Sequence, residues 1–281
     1  MKLSRGSKVI LSVIGIFAII IAGGFIYINS TSGLDSPLSV IMSSSMQHDN
    51  YESSIGTIDT GDVMIIKSPE KVTIYSYVEG TINGYRSFGD YGSVIIYERG
   101  DDVNPVIHRA IVWLDYNNGK WSCPSLANYK GLWSCPSSNN DYMNLRGTLT
   151  FTDVTQSRKT VSINLDDFTD KNRHSGYLTM GDNPTTNTYF DQSAGIISHP
   201  IGTDDIRAVA VHEIPWMGVI KVFMTENKKT YLEHVPNSVN SLIMLFVMVF
   251  AVIYCCDFYH THNENLKRRS EIEEQLQERY R

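Results

Sequence analysis

Two apolar stretches, one near each end of the chain, dominate the hydrophobic pattern. Residues 9–28 form an uncharged run of 20, and residues 235–256 form one of 22. Each is close to the ~20 residues that a helix needs to cross ~30 Å of hydrocarbon. The first run is longer than the ~7–15 apolar residues of a cleaved signal peptide, which is its alternative interpretation. The pattern therefore predicts two transmembrane helices.

Between these runs, short segments rich in β-branched and aromatic residues alternate with clusters of Gly, Asp, Asn and Pro. This alternation is typical of antiparallel strands and predicts a mainly β domain. The predicted strands are residues 63–67, 72–78, 93–98, 105–114, 148–153, 160–165, 206–214 and 217–224. Residues 115–175 are more polar and rich in Asn and Ser, which indicates an insertion. Its two strands are expected to form a hairpin on the main sheet.

The charges next to the apolar runs predict an orientation in the cell membrane. Residues 1–8 carry three basic and no acidic side chains, and the charged tail, residues 257–281, contains the basic run Lys267-Arg268-Arg269. Because basic segments stay in the cytoplasm, both ends are expected there, and residues 29–234 form an extracytoplasmic domain. This domain has 16 basic and 24 acidic residues. That balance argues against binding to nucleic acid through phosphate contacts.

Two cysteines lie in a short duplication inside the insertion. The sequence Trp-Ser-Cys-Pro-Ser occurs at residues 121–125 and again at 133–137. In an oxidising compartment a disulfide between Cys123 and Cys135 is one interpretation, and two free thiols are the other. A zinc site would need further ligands nearby, and none is evident. The sequence therefore predicts no metal and no organic cofactor.

Three separate segments carry side chains that can perform chemistry together. They are Ser43-Ser44-Ser45, His108 within an apolar strand, and Gly181-Asp182-Asn183 with the later Asp191. Each alone has a structural explanation, as a turn or as a buried histidine. Together they supply the parts of an activated nucleophile, because an imidazole can take the proton of a hydroxyl and a carboxylate can orient that imidazole.

In this order, and next to a membrane span, the segments resemble the type I signal peptidases of the archaeal and endoplasmic-reticulum kind. The likeness includes Gly61-Asp62 before a strand and covers roughly residues 9–113 and 176–223. It implies that Ser45 is the nucleophile and His108 its general base. It also implies that the Ser43 hydroxyl and the Ser45 amide form an oxyanion hole.

The same resemblance implies that Asp191 orients His108 and that Asp182 supports the site through its turn. The two acids are nine residues apart, whereas the family usually separates them by about six. Asp182 is therefore an open alternative as the direct partner of His108.

The implied protein is a signal-peptidase-like antiparallel β catalytic domain held by two membrane helices. It would act as a serine endopeptidase that cleaves N-terminal signal peptides from exported preproteins at the extracytoplasmic face. Its partners would be those signal peptides and the lipid bilayer, with the translocation machinery as a further candidate. Two alternatives stay open: a non-catalytic two-pass receptor or assembly subunit with a β ectodomain, and a membrane serine protease with another substrate.

Overall fold

A long helix lies near each end of the chain, and β structure lies between them. The computed structural model describes residues 5–100, 103–225, 229, 233 and 236–280. Predictions for residues 1–4 and for the boundary at residues 234 and 235 fall outside the described residues. The helices are α1 (Arg5–Ser32), α2 (Tyr77–Asn83), α3 (Val219–Met224) and α4 (Pro236–Arg279).

The chain divides into two compact units, residues 1–28 with 240–281, and residues 29–239. Within the described residues, α1 and α4 each contain a segment long and apolar enough to cross a membrane. The prediction of two such helices is confirmed, and their orientation stays a prediction. α4 continues without a break through the charged tail to Arg279.

The larger unit is built on an antiparallel sheet. Its strands are β1 (Leu38–Val40), β2 (Val63–Lys67), β5 (Val94–Tyr97), β6 (Val106–Asn117), β7 (Lys120–Ser122), β11 (Gly176–Met180) and β12 (Ile206–Ile214). They follow the order β1-β2-β12-β5-β6-β11, and β7 pairs with the far end of β6. Two short strands, β3 (Arg86–Ser87) and β4 (Asp90–Tyr91), form a hairpin between α2 and β5.

Both faces of the sheet are buried around β5. Val94 and Ile96 pack on one face with Met64 and Met46, whereas Ile95 belongs to a different cluster on the other face. Successive strand residues point to opposite faces, so an uninterrupted apolar run is what a strand covered on both sides requires. A polar side chain on such a strand needs a partner within the core.

The insertion forms a separate three-stranded sheet, with one strand more than the two that the sequence predicts. Its strands are β8 (Trp133–Ser134), β9 (Thr148–Val154) and β10 (Lys159–Asn164), in the order β10-β9-β8. The predicted hairpin is confirmed by the antiparallel pairing of β9 with β10. Phe151 of β9 packs edge-on against Phe190, with ring centroids 5.9 Å apart. The insertion therefore rests on the segment that leads into Asp191.

Two predicted strands are wrong. Residues 72–78 contain the start of α2, because Ser76 and Glu79 form a capping box in which each side chain accepts the other's backbone N–H. Residues 217–224 contain α3, whose buried Val219 and Val222 recur at helical spacing. Both segments are apolar and short, so their composition did not separate a strand from one or two helical turns.

The two cysteines of the duplication are buried free thiols. The disulfide is therefore absent from the structure. Each cysteine precedes a 3-10 turn, with φ, ψ of −148°, 86° at Cys123 and −143°, 79° at Cys135. The two copies thus share the angles of the cysteine and the start of a 3-10 turn, but the first turn ends at right-handed Asn128 and the second at left-handed Asn139.

Candidate active site

The loop that carries Ser45 is anchored to the main sheet just beyond β1. The Ile41 N–H donates to the carbonyl of Asp62, and the Gly61 N–H donates to the carbonyl of Ile41, both at 3.0 Å. Met46, directly after Ser45, is buried in the core. These contacts leave the Ser45 side chain partly exposed, with its Oγ 3.4 Å from Oγ of the exposed Ser43.

The imidazole of His108 lies on β6, next to β5, and is held by Asp191. Nδ1 of His108 is 2.8 Å from both carboxylate oxygens, and both side chains are buried. A carboxylate in this position keeps the proton on Nδ1. In the neutral form of the ring, the lone pair is then on the other nitrogen, Nε2.

Two more groups hold Asp191 in place. The Tyr97 hydroxyl donates to Asp191 Oδ2 at 2.7 Å, and the Asp191 backbone N–H donates to the carbonyl of Thr179 on β11 at 2.9 Å. Burial opposes ionisation of Asp191, but His108 and the hydroxyl donors outweigh it, so the pKa of this carboxyl lies below its ordinary value. Asp191 is therefore a carboxylate at neutral pH.

Asp182 has a different partner. Nε of the fully buried Arg109 donates to Asp182 Oδ1 at 2.8 Å, and Nη1 donates to the carbonyls of Tyr91 and Gly92. Burial would raise the pKa of Asp182, but the charge and hydrogen bonds of Arg109 lower it to about 2. His48 Nε2 lies 3.3 Å from the same carboxylate. The alternative in which Asp182 pairs directly with His108 is therefore not what the structure contains.

The turn at Gly181-Asp182-Asn183 packs on the loop of Ser45. Asn183 donates its backbone N–H to the carbonyl of Ser45 at 3.0 Å and its side-chain Nδ2 to the carbonyl of Ser44 at 2.7 Å. A Cβ atom on Gly181 would lie 2.4 Å from the Ser45 carbonyl oxygen. Glycine is therefore required for this close approach.

Ser43, Ser45 and His108 line one cleft of about 620 Å³. Its other walls are mostly apolar, and β1 at the edge of the sheet forms one side. The apolar lining includes Leu38, Val40, Met42, Ile96, Ile107 and Ile196. The Ser45 hydroxyl lies 3.4 Å from the Ser43 hydroxyl, and among the described residues it has no hydrogen bond to His108, which lines the same cavity. A hydrogen bond between a nucleophile and its base often forms only when a substrate binds.

Comparisons with family models, curated proteins and solved structures found no match to this chain. The residues of the cleft are therefore the basis on which a function can be assigned. Of the residues predicted from the sequence, Ser43, Ser45 and His108 line this cleft. Asp191 is hydrogen-bonded to His108, whereas Asp182 is paired with Arg109.

Sequence reasoning gave no role to Tyr97 or Thr179, and it named Asn183 only as part of the Gly181-Asp182-Asn183 turn. A signal existed for Tyr97, since it is the one hydroxyl-bearing residue within the apolar run 94–97. Thr179 acts through its backbone carbonyl, which any residue supplies, and through its hydroxyl, which helps to lower the pKa of Asp191. The backbone contribution has no signal in the sequence.

Proposed function

We propose that this chain is a membrane-anchored serine endopeptidase that removes signal peptides from exported proteins. The observation that carries the proposal is the buried His108–Asp191 pair at the cleft that Ser45 also lines. A serine, an imidazole and an ionised carboxylate at one cleft are the components of an acyl-transfer site. No metal or organic cofactor takes part in the proposed reaction.

In the proposed reaction, Nε2 of His108 takes the proton of the Ser45 hydroxyl as Oγ attacks the scissile carbonyl carbon. The oxyanion accepts hydrogen bonds from the Ser45 N–H and the Ser43 hydroxyl, each worth about 10²–10³ in turnover. When the peptide C–N bond breaks, His108 returns the proton to the leaving amine. A water molecule, deprotonated by the same imidazole, then hydrolyses the acyl-enzyme.

The edge of the sheet suits an extended substrate. β1 pairs only with β2 among the described strands, and its residues line the cleft. A peptide can therefore add to β1 as a further strand, with alternate side chains entering the cleft. The apolar walls at Val40 and Met42 fit small side chains at the −1 and −3 positions before the scissile bond.

The two apolar helices support a membrane-bound location for the proposed enzyme. Ser45 follows the end of α1 by 13 residues, so an extended chain reaches at most ~45 Å from that helix end. A signal peptide carries its own apolar segment, and confining both to one bilayer raises their effective concentration. The basic residues beside both spans support an active site on the extracytoplasmic face, where the translocation machinery would deliver substrates.

The test is cleavage of a preprotein by the full chain in detergent or liposomes. Ser45→Ala should abolish cleavage and Asp191→Asn should reduce turnover by ~10³–10⁴, because Asn does not hold the same imidazole tautomer. Lys221→Ala is the matched control, since this exposed lysine also lines the cleft and should leave turnover unchanged.

The outcomes separate the alternatives. Retained cleavage by Ser45→Ala would overturn the assignment of the nucleophile. A lysine base would be indicated if Lys221→Ala lost cleavage and the activity of the unsubstituted protein rose only toward pH ~9. Labelling of Ser45 by a serine-directed acylating inhibitor, with no discrimination between a preprotein and its variant with Arg at −1, would indicate another serine protease. If Ser45 is not labelled and no preprotein is cleaved, the result would favour the non-catalytic receptor.

A further inference from the structure

Three side chains of the kinds that bind metal ions meet next to Gly176, where β11 begins. They are His174, His199 and Asp205, and one ligand atom from each lies within 4.8 Å of the other two. His174 Nε2 is 3.3 Å from His199 Nδ1, and that nitrogen is 3.8 Å from Asp205 Oδ2. The three residues are 25 and 6 positions apart in sequence, so no short motif indicated them.

The separation of the two nitrogens matches a tetrahedral metal centre. Two nitrogens bound to zinc at ~2.0–2.1 Å at a tetrahedral angle lie about 3.3–3.4 Å apart. The carboxylate oxygen of Asp205 is 3.8 Å from His199 Nδ1, so the partly exposed Asp205 side chain would rotate to bind the same ion. An ion between the three atoms would therefore require little rearrangement of the backbone.

Backbone groups orient two of the three ligands. His174 Nδ1 lies 3.0 Å from the carbonyl of Ser175, so it carries a proton and leaves the lone pair of Nε2 free for an ion. The Gly202 N–H donates to Asp205 Oδ2 at 2.9 Å and holds the carboxylate. Such second partners are typical of ligands in metal sites. His199 Nδ1 lies 3.0 Å from the carbonyl of Pro200, so binding an ion at this nitrogen would displace its proton and break that hydrogen bond.

A cavity of about 410 Å³ adjoins the cluster and leaves room for a further ligand, such as water. Its lining includes Trp113, His174, Gly202 and Asp205. None of its lining residues belongs to the cleft of Ser45. The cluster is therefore a place separate from the proposed catalytic groups.

We propose that His174, His199 and Asp205 bind one divalent transition-metal ion of the zinc type. Two imidazoles and one carboxylate suit Zn²⁺ and related ions, whereas Mg²⁺ and Ca²⁺ prefer ligands that are all oxygen. The ion joins the start of β11 to the loop after Asp191. In that loop, Gln192 donates to the carbonyls of Tyr177 and His199. Metal binding therefore stabilises the segment that carries Asp191, and the site does not depend on peptidase activity.

The experiment uses the full chain in detergent, with Cys255→Ser and Cys256→Ser introduced because these two thiols are exposed. After treatment with a chelator, ZnCl2 is titrated calorimetrically, and thermal unfolding is followed with and without the ion. The expected result is one ion per chain and a higher Tm with Zn²⁺. His199→Ala and Asp205→Asn should each weaken binding at least ten-fold.

His212→Ala is the matched control, because His212 is an exposed histidine on β12 outside the cluster. It should bind Zn²⁺ as the parent does. Asp205→Asn keeps an oxygen for the Gly202 N–H, so weaker binding by this variant is not explained by misfolding. As a readout independent of stability, Co²⁺ should give the visible absorption of a tetrahedral site in the parent and lose it in His199→Ala.

Equal Zn²⁺ affinity of the parent and both cluster variants would overturn the proposal. Binding of Mg²⁺ by the parent as tightly as Zn²⁺ would also overturn it. A histidine pair joined only by a hydrogen bond would give no Zn²⁺-dependent rise in Tm. Ser45→Ala should bind Zn²⁺ normally, so failure of the metal site and failure of the proposed peptidase are separately observable.

Discussion

Asn183 donates its backbone N–H to the carbonyl oxygen of Ser45, which ties the turn after β11 to the loop of the proposed nucleophile. Its side chain adds a bond to the carbonyl of Ser44. Asp182, between Gly181 and Asn183, is fixed by the buried Arg109. The position of the Ser45 loop therefore depends on a turn held from inside the core.

Replacement of Gly181 by Ala should displace the Ser45 loop. The added Cβ would lie 2.4 Å from a backbone oxygen that has no flexible side chain to yield. Because a shift of ~1 Å at a reacting group can cost ~10² in rate, we expect turnover and inhibitor labelling of Ser45 to fall about 100-fold. Gly24→Ala, in α1, is the control, since a Cβ there meets nothing within 4 Å. Equal labelling of both variants would contradict the dependence on this turn.

Removal of the Tyr97 hydroxyl should destabilise the Asp191 carboxylate. Tyr97 is buried and donates to a charged acceptor at 2.7 Å, whereas the Tyr177 hydroxyl donates to the neutral carbonyl of Ile74 at 3.3 Å. Hydrogen bonds to charged groups contribute ~1.5–3 kcal/mol and neutral ones ~0.5–1.5 kcal/mol. Tyr97→Phe should therefore lower the free energy of unfolding more than Tyr177→Phe in denaturant titrations. It should also lower kcat with little change in KM.

The Arg109–Asp182 pair should behave as one coupled unit. Breaking a buried pair leaves an uncompensated charge and costs ~3–5 kcal/mol. Arg109→Met and Asp182→Asn should each destabilise strongly, and the double variant should lose less than the sum of the two. Denaturant unfolding of the four proteins measures the coupling, and strict additivity would show that the two side chains do not act together.

Asp62 should make stability fall as pH rises. It is buried, and although the N–H groups of Asp59 and Trp216 oppose the effect, burial raises its pKa from 3.8 to about 7. The folded protein then holds a proton that the unfolded chain releases above pH ~4. The resulting stability is full below pH ~4 and is lost as pH rises through about 7.

Thermal unfolding at pH 5, 6.5 and 8 measures this dependence, and Asp62→Asn should reduce its slope. Burial also raises the pKa of Asp59 and Glu213, so the slope should not vanish. An unchanged slope in Asp62→Asn would assign the effect to those neighbours.

The strands that were predicted correctly have a sequence pattern that favours a strand over a helix. β2 and β12 match the predicted residues 63–67 and 206–214, because their β-branched runs end at turn residues. Residues 72–78 and 217–224 failed since their apolar residues suit either a strand or a helical turn, and capping by Ser76 decides the first case. Sequence patterns report local preference, and these two segments have little.

The candidate site divides in the same way. The contributions of Ser45 and His108 could be proposed from residue type and order. The choice between Asp182 and Asp191 could not, because it depends on which carboxylate the buried Arg109 takes. That outcome is decided by the register of β6 against β11, which places Met180 opposite Arg109. Register is a long-range property that one sequence does not display.

The doubled Trp-Ser-Cys-Pro-Ser segment takes nearly the same backbone angles at Cys123 and Cys135 although the two copies have different neighbours. In each copy the cysteine is followed by a proline, whose fixed φ suits the first residue of a helical turn. The shared residues therefore set how each turn begins, whereas the residues beyond them decide where the chain leaves it.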